Sequence, residues 1–420
     1  MKWNRESAGC WNRKMKVLMI NVVCGIRSTG RICTDLAEEL EKQGHEVKIA
    51  YGRGNVPAEY QKYAVRIGNN FDTGLHALQA RFYDGAGFGS RKATEQFIRW
   101  VKCFNPDVIH LHNIHGYYIH VGVLFRYLRT CGKKIIWTLH DCWAFTGHCV
   151  HFDYTGCDRW QGGCHHCPVK TEYPGSWFAD ASRKNYEAKR KLFTGISNVR
   201  IVTPSYWLAG LVQKSYLGRY PVTVIHNGID TDVFQPADND LRKRYHLQGK
   251  KVILGVASKW EKRKGLDDIA ALSYKLERSF QIILIGLSKK QRKRLPESII
   301  TLPETDSCRE LAQFYTMADV FLNPVYEDTY PTTNLEAIAC GTPVITYDAG
   351  GSGESAGMYG AVCRKGNLEE LERYVRKGVE MPVCLKDIRQ KISRDAFVRR
   401  MITVYMSGTE NDSEKRAWNL

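Results

Sequence analysis

Short runs of apolar residues alternate with longer amphipathic segments along most of this chain, and this alternation restricts the possible folds more than any other feature. Residues 16–20 form the first run, a glycine-containing loop and a helical pattern follow, and residues 46–50 form the next run. The runs are continuously apolar, as in parallel strands that helices cover on both faces. The sequence therefore predicts an α/β protein built from parallel sheets.

The strand-like runs fall into two sets, which predicts two doubly wound domains. The first set ends at residues 222–225 and the second begins at residues 251–256, with a polar stretch between them. Such domains bind ligands at the carboxyl ends of their strands, so the predicted site is the cleft between them. The predicted divisions are an N-terminal extension (1–14), a first domain (15–225), a second domain (226–385), a C-terminal helix that packs back on the first domain (386–406) and a tail (407–420).

The formal charge of +17 indicates an anionic partner. Nucleic acid, an acidic membrane surface and phosphorylated small molecules are the candidates. The basic residues are spread along the chain without a long basic arm, so nucleic acid is not a predicted partner. The sequence has no apolar run of membrane-spanning length and no secretory signal. We predict a cytoplasmic protein, either freely soluble or attached weakly to anionic lipid on the inner face of the cell membrane.

Residues 326–345 carry the strongest chemical signal. Asp328 lies in a predicted loop, and Glu336 follows eight residues later, about one turn into a predicted helix. Thr332 or Thr333 is predicted to cap that helix, whose free N–H groups attract anions. Both carboxylates can therefore face one anionic ligand. The plainer alternative is a capped helix with two surface acids.

Three further segments suit the same cleft. Lys259 and Lys264 follow the first strand of the second domain, with Arg263 as a substitute for one of them, and two cations there suit an anionic ligand. A solvated basic face is the alternative. His140 ends a strand of the first domain, where a structural hydrogen bond is the alternative role. Gly25 follows the first strand and lets the backbone approach a ligand closely.

Together these motifs resemble glycosyltransferase family four, whose members have two Rossmann-like domains in the GT-B architecture. The family signature places two acids around seven residues, and Asp328 and Glu336 match it, with Glu327 as a second candidate for the first acid. The resemblance covers residues 15–406. Over residues 140–168 it is closest to the branch that makes colanic-acid-type exopolysaccharides.

The resemblance implies the roles of the site residues. It implies catalytic roles for His140, Lys259, Lys264 and Asp328. It places the donor's ribose on Glu336. It implies donor contacts from Gly25, Arg263, Gly286, Glu327, Thr332, Thr333, Asn334, Leu335 and Glu336.

The implied activity is retaining transfer of a sugar from a nucleotide diphosphate donor to a glycan or lipid-linked acceptor in polysaccharide biosynthesis. The family uses front-face displacement without a protein nucleophile, and no catalytic metal is expected. Two alternatives remain: a nucleotide-sugar epimerase of the same fold and a non-catalytic carbohydrate-binding protein. A dehydrogenase is excluded, because the first strand is not followed by the glycine pattern that binds dinucleotides.

A cysteine-rich insertion is predicted at residues 142–168. Cys164 and Cys167 form a C-x-x-C pair, and Cys149 and Cys157 supply two more thiols. Four sulfur ligands suit a structural zinc ion in tetrahedral geometry. Two disulfides or free thiols are the alternatives, and we favour zinc because a long loop in a compact domain needs a staple or a function.

Overall fold

The first domain is built on a seven-stranded parallel sheet. The computed structural model describes residues 14–381 and 384–407, except for the side chain of Met358. Strand order in this sheet is β3-β2-β1-β4-β5-β6-β7. Its strands are β1 (Lys16–Asn21), β2 (Glu46–Tyr51), β3 (Ala64–Arg66), β4 (Val108–Leu111), β5 (Lys134–Thr138), β6 (Val199–Thr203) and β7 (Val222–Val224). Its helices are α1 (Arg27–Lys42), α2 (Asn70–Tyr83), α3 (Arg91–Phe104), α4 (Val121–Thr130), α5 (Ser182–Phe193) and α6 (Tyr206–Lys214).

The second domain has a six-stranded parallel sheet in the order β10-β9-β8-β11-β12-β13. Its strands are β8 (Lys251–Val256), β9 (Phe280–Ile285), β10 (Ile300–Leu302), β11 (Val320–Asn323), β12 (Val344–Tyr347) and β13 (Gly360–Cys363). The helices that follow the first domain are α7 (Leu241–Arg244), α8 (Leu266–Ser273), α9 (Lys289–Arg292), α10 (Cys308–Met317), α11 (Thr332–Ala339), α12 (Ser352–Ala356), α13 (Leu368–Lys377), α14 (Leu385–Lys391) and α15 (Arg394–Met406).

Burial explains the continuous apolar runs. Every residue of β4, β11 and β12 is buried, because helices cover both faces of each sheet. In α1 the buried residues include Ile32, Leu36 and Leu40, whose spacing places them on one helix face. The predicted α/β fold with two doubly wound domains is confirmed. The N-terminal extension and the tail lie outside the described residues, apart from Lys14 and Ser407.

The C-terminal helix α15 leaves the second domain and packs on the first. Its residues Phe397, Met401 and Tyr405 belong to the same apolar cluster as the buried residues of α1. The Tyr405 hydroxyl also contacts His110 Nδ1 at 2.6 Å, beneath the first sheet's central strands. The chain therefore crosses between the domains twice.

Residues 142–168 form an irregular insertion between β5 and α5 that is nevertheless well packed. Phe145, Phe152 and Trp160 are buried and lie against one another, with ring centroids 5.3–6.4 Å apart. Short turns of 3₁₀ helix occur at Trp143–Phe145 and Asp153–Thr155. Aromatic packing thus holds a segment that has little regular structure.

The helices in the described ranges are too short or too polar to cross a bilayer.

Candidate functional site

The candidate site lies where the carboxyl ends of the two sheets face each other. The Thr329 hydroxyl, in the loop after β11, donates a hydrogen bond of 3.0 Å to the carbonyl oxygen of His140, just after β5. Nearby, both carboxylate oxygens of Glu354 accept 2.7 Å hydrogen bonds from the backbone N–H groups of Tyr206 and Trp207, at the start of α6. These contacts bring the predicted residues of the two domains to one cleft.

Asp328 is bound to two cations of its own domain. Lys264 Nζ lies 2.6 Å from Asp328 Oδ2, and Arg263 Nη1 lies 3.8 Å from the same oxygen. Burial opposes ionisation of Asp328, but the charges of Lys264 and Arg263 outweigh it and hold the pKa at about 2. The carboxyl group is therefore ionised at any physiological pH.

Glu327, the other candidate for the first acid, faces away from these cations. Its side chain is fully buried, and it accepts hydrogen bonds of 3.1 Å from the Phe152 N–H and 3.0 Å from the Tyr154 N–H. Both donors belong to the cysteine-rich insertion. Both carboxylate oxygens of Glu327 are thus engaged by the insertion, and a donor contact from this residue stays a prediction.

The cation pair differs from the one that spacing alone suggested. Lys259 is 79% exposed and lies 3.2 Å from Glu261, rather than beside Lys264. Arg263 occupies the inner position, where its Nη1 donates 2.8 Å to the carbonyl oxygen of Glu327. Glu261 also lies 3.3 Å from Arg263, so it links the exposed Lys259 to the inner pair. The predicted substitute, Arg263, thus joins Lys264 at the site.

The N-cap residue of helix α11 precedes both predicted caps. Pro331 is the N-cap residue and no side chain caps the helix, so the prediction that Thr332 or Thr333 does so is wrong. Proline fixes the backbone angle of the entering chain but offers no side-chain acceptor to the N–H groups of the helix. Because no side chain takes them, the first N–H groups of α11 remain suited to an anion.

Two other residues of α11 that were predicted to contact the donor are buried. Asn334 is fully buried, and its amide is bound by Asn323 at 2.7 Å and by Ser355 at 2.8 Å. Leu335 is only 2% exposed and belongs to the core of the second domain. The side chains of these two residues therefore serve the packing of the second domain.

Glu336 stands apart from the Asp328 group. It is half-buried and accepts a 3.0 Å hydrogen bond from the Tyr315 hydroxyl. Burial raises the pKa of Glu336 to about 7, against the effect of the Tyr315 hydrogen bond. A half-ionised carboxyl group near neutral pH is suited to accept hydrogen bonds from neutral hydroxyl groups, such as those of a ribose.

Two glycines are required by backbone geometry. Gly25, in the loop after β1, has φ +71°, and a Cβ there would lie 2.5 Å from the ring of Tyr60. Gly286, directly after β9, has φ +91°, and a Cβ would lie 1.7 Å from the Ala257 carbonyl oxygen. Both therefore hold loops at the strand ends that L-residues could not form without rearrangement.

His140 is supported by a second histidine that the sequence analysis missed. Its Nε2 lies 3.0 Å from His112 Nδ1, and His112 is almost fully buried just after β4. Burial lowers the pKa of His140 to about 4 and holds the pKa of His112 well below its usual value. Both imidazoles are thus neutral. His112 follows a strand of the same sheet, so the criterion that selected His140 would have found it.

A second pair missed from the sequence lies beside His140. His115 Nε2 is 2.8 Å from Asp141 Oδ2, and His115 Nδ1 is 3.2 Å from the Tyr173 hydroxyl. Burial raises the pKa of Asp141, but His115 and the Trp143 N–H lower it to about 2. This ionised acid faces the first domain's side of the cleft, opposite the cations of the second domain.

The four predicted zinc ligands line one small cavity in the insertion: Cys149, Cys157, Cys164 and Cys167. Cys149 donates a hydrogen bond to Cys167, which lowers the Cys167 pKa, and Cys164 Sγ accepts from the Gly147 N–H at 3.1 Å. Every cysteine that the structure describes is a free thiol. Among the described residues, no group of three or more His, Cys, Asp or Glu side chains is arranged to hold a metal ion.

Two parallel α/β domains that meet across their strand ends define the GT-B class of glycosyltransferases. Residues 29–233 match the family model Glycosyltransferase Family 4, and residues 238–397 match the model Glycosyl transferases group 1. The two matches are adjacent and span most of the sequence. The chain belongs to this family of glycosyltransferases.

Individual relatives agree with this assignment. The chain is 25% identical to WcaC of Escherichia coli K12, named as a colanic acid biosynthesis glycosyl transferase, over 79% of this chain and 82% of that one. It is 26% identical to an alpha-galactosylglucosyldiacylglycerol synthase of Streptococcus pneumoniae over 53% and 63%. The structure of Anabaena HepE in complex with UDP-glucose superposes with a TM-score of 0.63 at 14% identity, over 93% and 99%.

Proposed function

We propose that this glycosyltransferase moves a hexose from a nucleotide diphosphate sugar, with retention of configuration, to a glycan or lipid-linked acceptor in polysaccharide biosynthesis. The observation that carries the proposal is the Lys264, Arg263 and Asp328 group, which lies across the cleft from His140. WcaC and the diacylglycerol synthase support it, since their names describe transfer in polysaccharide and glycolipid synthesis. These matches favour a transferase over the epimerase and the non-catalytic binding protein.

The cation group stabilises the leaving diphosphate. Lys264 and Arg263 already share one anion, Asp328, and a diphosphate would offer the same two side chains a larger negative charge. The N–H groups at the start of α11 add a positive end that faces the phosphates. Because the helix N–H groups are fixed before the reaction, they stabilise the transition state without reorganisation. The proposal needs no catalytic metal.

Neutral His140 and ionised Asp328 serve the sugar side of the reaction. A neutral imidazole can donate or accept a hydrogen bond at a sugar hydroxyl, and His112 fixes its orientation. When Lys264 turns to the diphosphate, the Asp328 carboxylate becomes free to accept a hydrogen bond from a sugar hydroxyl. The acceptor hydroxyl approaches from the side of the leaving group, and a phosphate oxygen takes its proton. The described residues therefore act by positioning and by charge.

Donor turnover tests this proposal most simply. We expect the protein to release a nucleoside diphosphate from one member of a panel of UDP and GDP sugars. Lys264→Ala should lower that rate by about a hundredfold or more, because it removes a donor to the leaving group. Lys290→Ala, which removes an exposed charge from α9, is the matched control and should keep the rate. Equal rates in both variants would place the donor site elsewhere.

We also propose that the insertion takes up one structural zinc ion. Cys149, Cys157, Cys164 and Cys167 line one cavity as free thiols, so rotation of their side chains can bring four sulfur atoms onto one ion. Four thiolates are the ligand set of closed structural zinc sites. The ion would hold the insertion in the position from which Phe152 and Tyr154 reach Glu327.

Elemental analysis of protein purified without added metal tests the zinc proposal. We expect about one zinc ion per chain, lost when Cys164 and Cys167 are both changed to serine. Cys103→Ser, at an exposed position on α3, should keep the zinc. Metal-free protein in which all four thiols react with a thiol reagent would contradict the proposal.

Peripheral attachment to the inner face of the cell membrane is the last part of the proposed function. A lipid-linked acceptor remains in the membrane, so the enzyme has to meet it there. The charge of +17 favours an anionic lipid surface.

A further inference from the structure

The exposed face of α2 is apolar, whereas its buried face carries the polar side chain of His76. Phe71, Leu75, Leu78 and Phe82 follow one another at intervals of four, three and four residues, so they form one stripe, and they are 38–76% exposed. On the other side, only His76 and Ala80 are buried. The helix therefore presents to solvent the face that a helix of a soluble protein normally buries.

The loop after the insertion extends this stripe into one continuous surface. Trp177 and Phe178 are 57% and 68% exposed, and their rings lie 5.7 and 5.4 Å from the ring of Phe82. The backbone joins the two segments, since the Trp177 N–H donates 2.7 Å to the Arg81 carbonyl oxygen. We call the α2 stripe together with Trp177 and Phe178 the apolar surface.

The concentration of exposed apolar side chains here is specific to this region. Twelve large hydrophobic side chains are exposed among the described residues, and eight of them lie on α2 or at residues 173–178. Monomeric soluble proteins seldom expose a contiguous patch of this kind without a partner. Singly scattered residues such as Tyr274 would need no such explanation.

Both the composition and the surroundings of the apolar surface suit a lipid bilayer. Trp, Tyr and Phe prefer the boundary between headgroups and acyl chains. Cations adjoin the surface at three places: Arg66 binds Asn70 at the start of α2, Arg81 donates 3.1 Å to the Gly175 carbonyl oxygen, and Lys170 donates 3.1 Å to that of Phe178. An apolar helix face bordered by cations is the pattern of a helix that lies in an anionic membrane interface.

The apolar surface is also connected to the cleft. Tyr173 precedes Trp177 by four residues and is 37% exposed, and its hydroxyl contacts His115 at 3.2 Å. His115 in turn contacts Asp141, the neighbour of His140. A lipid-linked sugar whose tail stays at the apolar surface would have a short route to the first domain's side of the cleft.

We propose that the apolar surface inserts into the headgroup region of an anionic bilayer and presents the cleft to a lipid-linked acceptor. Insertion alone does not depend on the proposed glycosyl transfer, whereas the acceptor's route rests on it. Charge alone predicts attachment that salt removes. An inserted apolar face predicts attachment that persists in part at high salt.

Vesicle sedimentation tests the proposal with the full chain. The probes are vesicles of phosphatidylcholine alone and of equal parts phosphatidylcholine and phosphatidylglycerol. We expect the protein to sediment with the anionic vesicles, in part also at high salt. Leu75→Glu combined with Leu78→Glu should weaken that partition by about tenfold or more, because two exposed apolar side chains lose their contact with lipid. Tyr274→Glu, on the other domain and 79% exposed, should bind as the unchanged protein does.

Donor turnover in solution separates this proposal from the proposed function. The Leu75 and Leu78 variant should release nucleoside diphosphate as fast as the unchanged protein, which also shows that it folds. Two results would overturn the proposal: no sedimentation of the unchanged protein at low salt, or equal binding by the double variant. A dimer of the unchanged protein that the double variant dissociates, without vesicle binding, would overturn it too, by assigning the apolar surface to a second copy.

Discussion

At the scale of single residues, Asp328 and Glu336 have opposite electrostatic settings. Asp328 lies between two cations that hold its pKa at about 2, whereas burial raises the pKa of Glu336 to about 7. The two acids therefore respond differently to pH in the physiological range. Of these two acids, only Glu336 changes its charge there, so we expect it to contribute to the pH dependence of donor binding.

We expect the donor's KM to rise as the pH falls below about 7. Ribose hydroxyl groups donate to the ionised form of Glu336, and one pH unit below the pKa only about a tenth of it remains ionised. Glu336→Gln should have a high KM throughout and lose this step. KM measured against pH for both proteins is the test, and an unchanged step in the glutamine variant would assign the titration to another group.

Some features of the site acids could be predicted from the sequence, and others could not, because they depend on contacts between residues far apart in the chain. Asp328 and Glu336 are eight positions apart, so their common loop and helix bring them to one region of the domain. The partners of Glu327 are 173 and 175 positions away, in a segment without regular structure. No local sequence pattern encodes such a contact. The sequence alone therefore does not decide whether Glu327 or Asp328 is the first acid of the family signature.

At the scale of elements, the insertion connects the two domains directly. Besides the hydrogen bonds from Phe152 and Tyr154 to Glu327, Asp153 Oδ2 lies 2.9 Å from Lys365 Nζ in the second domain. The insertion belongs to the first domain by sequence and spans the cleft by contact. Its position thus influences the loop that carries Asp328.

Glu327→Gln tests the importance of this connection. The amide nitrogen of glutamine cannot accept from a backbone N–H, so one buried donor loses its partner, at a cost of about 1–3 kcal/mol in the free energy of unfolding. Thermal unfolding and protease cleavage within the insertion should both report the change. Glu172→Gln, where an exposed carboxylate accepts from the Tyr154 hydroxyl, is the control. Unchanged unfolding and cleavage in Glu327→Gln would mean that the connection contributes little.

The helix start at α11 shows how far local signals reach. The sequence placed the helix correctly after the acidic loop, because Pro331 and the threonines all favour a helix start. The sequence predicted a threonine as the N-cap residue. In the structure Pro331 is the N-cap residue, and no side chain makes a capping hydrogen bond. Capping depends on the direction from which the chain enters, and this direction is set by packing in the second domain.

At the scale of the whole molecule, the apolar runs were sufficient to predict two parallel sheets, since burial on both faces leaves a direct mark on composition. The apolar surface was hidden for the opposite reason. The spacing of Phe71, Leu75, Leu78 and Phe82 is that of an ordinary core-facing helix, and only the structure shows which way it faces. Periodicity predicts which residues form the apolar face of a helix, while tertiary packing decides whether that face points to the core or to solvent.

The anomeric configuration of the product tests the central claim most directly. The protein would be incubated with the donor that it turns over and with an acceptor, and the new linkage would be followed by NMR from the first turnovers. We predict an anomeric configuration equal to that of the donor, and product formation slower by about a hundredfold or more with Lys264→Ala. A product of inverted configuration, or a donor isomerised without transfer, would contradict the proposal that this cleft carries out retaining glycosyl transfer.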